Sequence, residues 1–126
     1  MGYRSDVTAV FYAHKKVGEN PWPTLKLFID ENFPEELKGA LEFRESSSYV
    51  GYTFTEYGVK WYDSYPEIVA FNRFVSNYLE IADGENELAW AYEFVRIGEE
   101  SDDTEVTYSD GSDCVLQVSR ATEINF

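Results

Sequence analysis

Apolar and polar residues alternate cleanly over residues 5–13, SDVTAVFYA. Val7, Ala9, Phe11 and Ala13 fall on one side, and Thr8, Val10 and Tyr12 on the other, which predicts a strand. The period then lengthens. In GENPWPTLKLFIDENFPEEL, Asn20 is a helix cap and Pro21 suits the first turn, while Leu25, Phe28 and Ile29 form an apolar stripe. Pro34 stops that helix, and Glu35 to Lys38 have room for one more turn before Gly39. Leu41 to Glu45 reads as a short strand. In the next stretch, YVGYTFTEYGVKWY, the inward parity changes from Val50, Tyr52 and Phe54 to Tyr57, Val59 and Trp61. A period-two strand does this only through a turn or a bulge, and Gly58 favours a tight turn near 55–58, hence a hairpin.

The second helix carries the strongest signal. Ser64 and Glu67 match a capping box, Pro66 sits in the first turn, and Ile68, Phe71, Val75, Tyr78, Leu79 and Ala82 share a face. Asp83-Gly84 ends it. Residues 87–97, ELAWAYEFVRI, are apolar on both faces, as in a central strand. Thr104 to Tyr108 and Cys114 to Ser119 alternate again and are expected to form a hairpin through SDGSD. The order predicts one α+β domain over residues 1–126. It has a mainly antiparallel sheet with two helices packed on one face, arranged as a ferredoxin-like βαββαβ unit with an added C-terminal hairpin.

Composition supports a packed core: 44% of the 126 residues are hydrophobic and 17% aromatic. The single cysteine, Cys114, allows no internal disulfide and suits a reducing compartment. No apolar run approaches a membrane span, and the first residues do not follow the pattern of a secretory signal.

Charge changes the picture more. The formal net charge is −14. Residues 1–26 carry four bases and two acids, so all of the excess lies beyond them. Residues 83–113 hold eleven acids and one base, Arg96. Such a surface repels nucleic acids and anionic membranes and attracts proteins with basic grooves.

Three segments, MGYRSDV at residues 1–7, KWYDSYPEIVAF at 60–71 and YEFVRIGEESDD at 92–103, resemble those of small phage and prophage proteins that open MGYRS. The resemblance spans most of the chain. It implies a phage origin and action in the cytoplasm of an infected bacterial host, and it supplies no catalytic residues.

Chemistry has few footholds. His14, the lone histidine, and Cys114 could formally pair as base and nucleophile, but no nucleophile motif surrounds either, and Cys114 is expected to face the core. Asp102, Asp103, Asp110 and Asp113 do not keep the spacing of an EF-hand, so no dedicated metal site is expected. Acid pairs of the glycosidase kind could be drawn from any of the 24 acids. The aromatics Tyr49, Tyr52, Phe54, Tyr57, Trp61, Tyr62 and Tyr65 could stack bases, but only Lys60 lies among them, which favours plain core.

Three classes of function follow. The first is an acidic binding protein that imitates duplex DNA and thereby inhibits a host DNA-binding enzyme, with no catalytic residue, cofactor or metal of its own. Its phosphate-mimicking acids would be Asp83, Glu85, Glu87, Glu99, Glu100, Asp102, Asp103, Glu105, Asp110 and Asp113. Carboxylates two apart on a strand lie roughly 6.7 Å from each other, near the rise of two base pairs. The expected partner is DNA gyrase, ahead of a restriction or CRISPR nuclease, because acidic inhibitors of gyrase form a known class. Direct nucleic-acid or membrane binding is not expected, and a homodimer is left open. The second class is a merely solvated acidic surface. The third is a small-molecule-binding or sequestering protein with a pocket lined by Trp61, Trp90 and tyrosines.

Overall fold

A computed structural model describes residues 3–15, 22–82, 90–100, 102–109, 112–118 and 122–124. The alternating segment at the start forms β1 (Ser5–His14), and the first stripe forms α1 (Trp22–Asn32). The proposed cap at Asn20 and Pro21 lies outside the described residues. After Pro34 the chain makes a 3₁₀ segment, Glu35–Ala40, and then β2 (Leu41–Glu45) and β3 (Tyr49–Val59). Next come α2 (Pro66–Ala82), β4 (Trp90–Gly98), β5 (Thr104–Tyr108), β6 (Leu116–Val118) and β7 (Thr122–Ile124).

Five strands form one antiparallel sheet in the order β2-β3-β1-β4-β5. Through β4 the plan is β-α-β-β-α-β with β1 and β3 at the centre, the ferredoxin-like arrangement expected from the pattern. Both helices lie on one face. There Val7, Ala9, Phe11 and Ala13 of β1 meet Leu25 and Ile29 of α1 and Phe71, Phe74 and Tyr78 of α2 in one core. Phe11 sits at its centre, with edge-on contacts to Phe33, Phe74 and Tyr78 at centroid separations of 5.9, 5.4 and 5.3 Å. The opposite face is not open to solvent. Val10, Tyr12, Ala91 and Val95 are covered by Val115 and Leu116 from the C-terminal segment. This double coverage explains why β1 and β4 are buried along almost their whole length.

Four expectations are corrected. Residues 55–58 do not turn; β3 runs straight through. Val7 pairs with Glu56 and Ser5 with Val59, so β3 spends three residues where β1 spends two. That is a bulge, with Gly58 at φ 62°, and it produces the parity change read from the sequence. Tyr57 consequently points to solvent, 73% exposed, while Val59 and Trp61 rejoin the core. Second, α2 begins at Pro66, and the Tyr65 carbonyl accepts from the Ile68 and Val69 amides, so Tyr65 and not Ser64 occupies the cap position. Third, β5 and β6 do not pair as a hairpin. β5 extends the large sheet beside β4, and the C-terminal hairpin is β6 with β7. Finally, Cys114 is not in a strand and does not face the core; it is exposed, at φ 55°.

Candidate functional site

The acids singled out for partner binding divide into three groups. Asp83, Glu85, Glu87 and Asp110 lie outside the described residues. Glu99, Glu100, Asp102, Asp103 and Glu105 gather at the β4–β5 turn and the start of β5. Asp113 stands apart. The register places Ser5 opposite Gly98 and Ala13 opposite Trp90, so the turn lies beside the start of β1. Asp113, by contrast, contacts His14 at its end. Nine residues of strand separate the two places, roughly 30 Å.

The turn is tightly built. The Gly98 amide donates to the Asp103 carbonyl at 2.8 Å, and the Asp103 amide to Glu100 at 3.1 Å. Arg96 fastens it from below, donating through Nη2 to Asp103 Oδ1 at 2.8 Å, through Nη1 to Oδ2 at 3.1 Å and through Nε to Glu105 Oε1 at 3.1 Å. The Tyr3 hydroxyl donates to Asp103 at 2.5 Å and accepts from the Glu100 amide at 3.1 Å. The hydrogen bonds from Arg96, then that from Tyr3, hold the Asp103 carboxyl below the usual range. Glu99 accepts from the Arg4 amide at 3.0 Å. Two of the five acids thus have a structural partner in Arg96. Glu99, Glu100 and Asp102 face solvent without a cation among the described residues.

At the other end, Asp113 accepts from the Tyr49 hydroxyl at 2.7 Å and lies 3.5 Å from His14 Nδ1. That hydrogen bond, then burial and the negative charge of Asp113, push the Tyr49 phenol up to about 12. Cys114 is adjacent, its amide donating to Ser112 Oγ at 3.0 Å.

One carboxylate escaped the sequence reading. Glu93 is fully buried within β4. Its Oε2 accepts from the Tyr12 hydroxyl at 2.5 Å, from Ser112 Oγ at 2.8 Å and from the Val115 amide at 3.0 Å, and its Oε1 accepts from the Leu116 amide at 2.8 Å. These bonds fasten the C-terminal segment across the second face of the sheet. The only hint in the sequence is an acid inside an otherwise apolar run, and nothing local marks its distant donors.

The seven aromatics do not form one platform. Phe54 is core, Trp61 packs on Phe71 at 5.1 Å, Tyr52 bonds Asp30, Tyr62 accepts from the Tyr3 amide, and Tyr57 is exposed. Trp61 and Trp90 pack in different places. Trp90 is buried against Phe28 and Tyr78. Trp61 lines a cavity of about 290 Å³ between α2 and β5, with Asp63, Asn72, Tyr92, Glu105 and Thr107 among its other walls. Among the described residues, no three His, Cys, Asp or Glu side chains converge as metal ligands, and no helix is long and apolar enough to cross a membrane.

Comparison of the chain with family models, curated proteins and solved structures finds no match to any of them.

Proposed function

We propose that this chain is an acidic binding protein that occupies the basic DNA-binding surface of a bacterial enzyme and inhibits it by standing in for duplex DNA. The observation that carries the reading is the β4–β5 turn. Five carboxylates meet one guanidinium there, and Glu99, Glu100 and Asp102 are exposed with no cation paired to them among the described residues. A solvated surface needs no such concentration. The charge at Asp113, roughly 30 Å away along β1, lies at a distance spanned by about nine base pairs of one DNA strand. The chain-wide charge of −14 adds long-range attraction toward a basic groove. The resemblance to small phage proteins makes a host enzyme the natural target, with DNA gyrase first and a defence nuclease second.

The structure refines which charges to remove. Neutralising Asp103 or Glu105 would strip Arg96 of a partner and mix a folding defect with a binding defect. Glu99→Gln, Glu100→Gln and Asp102→Asn together remove three charges and leave the Arg96 clamp intact. Tagged protein would be used to recover partners from host lysate, and gyrase supercoiling would be assayed directly. The triple variant is expected to bind at least about tenfold more weakly, each lost charge contact contributing several tenths of a kcal/mol or more. Binding should also weaken as salt rises, and duplex DNA should compete. Affinity indifferent to the triple substitution, to salt and to DNA would refute the proposal.

A further inference from the structure

Among the described residues, no strand pairs with the edge of the sheet beside the acidic turn. All five residues of β5 are exposed, Val106 and Tyr108 among them. Its hydrogen-bonding parity follows from two bonds: the Gly98 amide donates to the Asp103 carbonyl, and the Ser109 amide to the Tyr92 carbonyl. In an antiparallel ladder residues of like parity bond to the same neighbour. Asp103, Glu105, Thr107 and Ser109 therefore direct their main-chain groups to β4. Val106 and Tyr108 direct theirs outward, where no further strand lies among the described residues, whereas the Thr104 amide donates to the Asp102 carbonyl at 3.2 Å. Unpaired edges of this kind are templates for an added strand.

The cavity between α2 and β5 lies on the helix face of the same edge. Glu105 and Thr107 of β5 form one wall, Asn72 and Val75 of α2 another, and Trp61, Phe71, Tyr92 and Phe94 the apolar remainder. A strand added to β5 would place every second side chain on this face, roughly 5 Å from Glu105 or Thr107 and at the mouth of the cavity. The polar groups there suit a cation. Asp63 and Glu105 are carboxylates, and Arg96, shared between Asp103 and Glu105, leaves that trio one net negative charge. Tyr92 is 3% exposed, and its hydroxyl has no hydrogen-bond partner among the described residues although it lines the cavity. No fully buried side-chain polar atom among the described residues lacks a partner, so this hydroxyl meets solvent through the cavity and can bond a group that enters it. Aromatic faces attract ammonium and guanidinium groups as well.

We propose that the β5 edge and this cavity together receive an extended basic segment of a partner protein, which adds to the sheet as a sixth strand and seats a lysine or arginine side chain among Asp63, Tyr92 and Glu105. This rests on the reading that the partner is basic, and it names the place of engagement.

The probe is a synthetic peptide of about eight residues alternating arginine and threonine, long enough to span a typical strand, with a glutamine-threonine peptide as control. Amide hydrogen exchange is followed on the isotopically labelled full chain. Bound peptide should protect the amides of Val106 and Tyr108 by about tenfold or more and leave those of Glu105 and Thr107 nearly unchanged. The control peptide should protect none of them. Tyr92→Phe and Asp63→Asn should each weaken peptide binding by about tenfold, the effect of losing one bond to a charged group. Val106→Pro removes an outward amide and should abolish protection; the wild-type exchange pattern stands independently if that variant folds poorly. Arginine-peptide binding that the triple charge variant abolishes, without protection of the outward amides, would overturn strand addition and leave the basic-partner reading standing. No binding of the arginine peptide at all would overturn both.

Discussion

Replacing Glu93 by Gln is a single-atom test of how the second face of the sheet is held. The carboxylate accepts four hydrogen bonds, and two of the donors are main-chain amides that cannot turn away. Gln has one oxygen. If that oxygen takes the Oε2 position, the new amino group faces the Leu116 amide. If it takes the Oε1 position, the amino group faces the Val115 amide together with two hydroxyls. The hydroxyls of Tyr12 and Ser112 already accept from the Asp113 and Cys114 amides but can turn their protons elsewhere; a backbone N–H cannot. Either way one buried amide loses its acceptor and one charge-assisted bond disappears. The loss of such a bond and the stranding of a buried donor each cost on the order of 1–3 kcal/mol, so about 3 kcal/mol is expected in total. That is a large share of the ~5–15 kcal/mol by which a domain is stable. Urea unfolding of wild type and Glu93→Gln would measure it. Hydrogen exchange would locate it, with the amides of residues 115 and 116 losing protection far more than those of α2. A loss below about 1 kcal/mol, or unchanged protection at 115 and 116, would refute the clasp. The substitution is remote from Glu99, Glu100 and Asp102, so partner binding below the unfolding range should be retained.

Other expectations are simpler. The Asp103 carboxyl is held low by Arg96 and Tyr3, so its contribution to stability is present above its unfolded value near about 3.9 and is lost as pH falls through the lower folded value. Melting temperature measured against pH should therefore fall less steeply below about pH 4 in Asp103→Asn than in wild type. The Tyr49 phenol ionises at about 12 because Asp113 accepts its proton in a hydrogen bond and repels the phenolate. Asp113→Asn should move its NMR titration toward the ordinary tyrosine value near about 10, and an unmoved midpoint would contradict that cause. Gly51 pairs with Tyr12 at the centre of the sheet, where a Cβ would press on the Phe11 carbonyl oxygen and lie 2.7 Å from Tyr12 Cα. Main-chain atoms cannot yield as a flexible side chain does, so Gly51→Ala should cost at least about 3 kcal/mol by denaturant unfolding, and a neutral effect would show that β1 and β3 can separate there.

Much of this architecture was legible as periodicity. Strand alternation marked β1 and β5, the two apolar stripes marked α1 and α2, and the run at 87–97 read as a strand covered on both sides. Even the bulge left a trace, since the parity change around Gly58 was plain. Its resolution was not, because a turn and a bulge shift parity alike and only the pairing of β1 with β3 distinguishes them. The same holds at the C-terminus. Two alternating segments joined by turn residues favour a hairpin locally, but the free edge of β4 takes β5, while Leu116 covers Val10 and Tyr12. A contact with the core outweighs a local turn preference.

The sequence by itself determined the α+β class, the amphipathic faces of both helices and the concentration of carboxylates after residue 98, because each is a property of neighbours along the chain. Only the tertiary structure decided which carboxylates are available. Asp103 and Glu105 look like Glu100 and Asp102 in the sequence, yet the first two are turned to Arg96 on the neighbouring β4 and the others to solvent. Glu93 looks like one more charge, yet it is buried among donors from residues 12 and 112–116. Electrostatic roles depend on partners brought close by the fold and on the water that the fold excludes, and neither is encoded in local spacing.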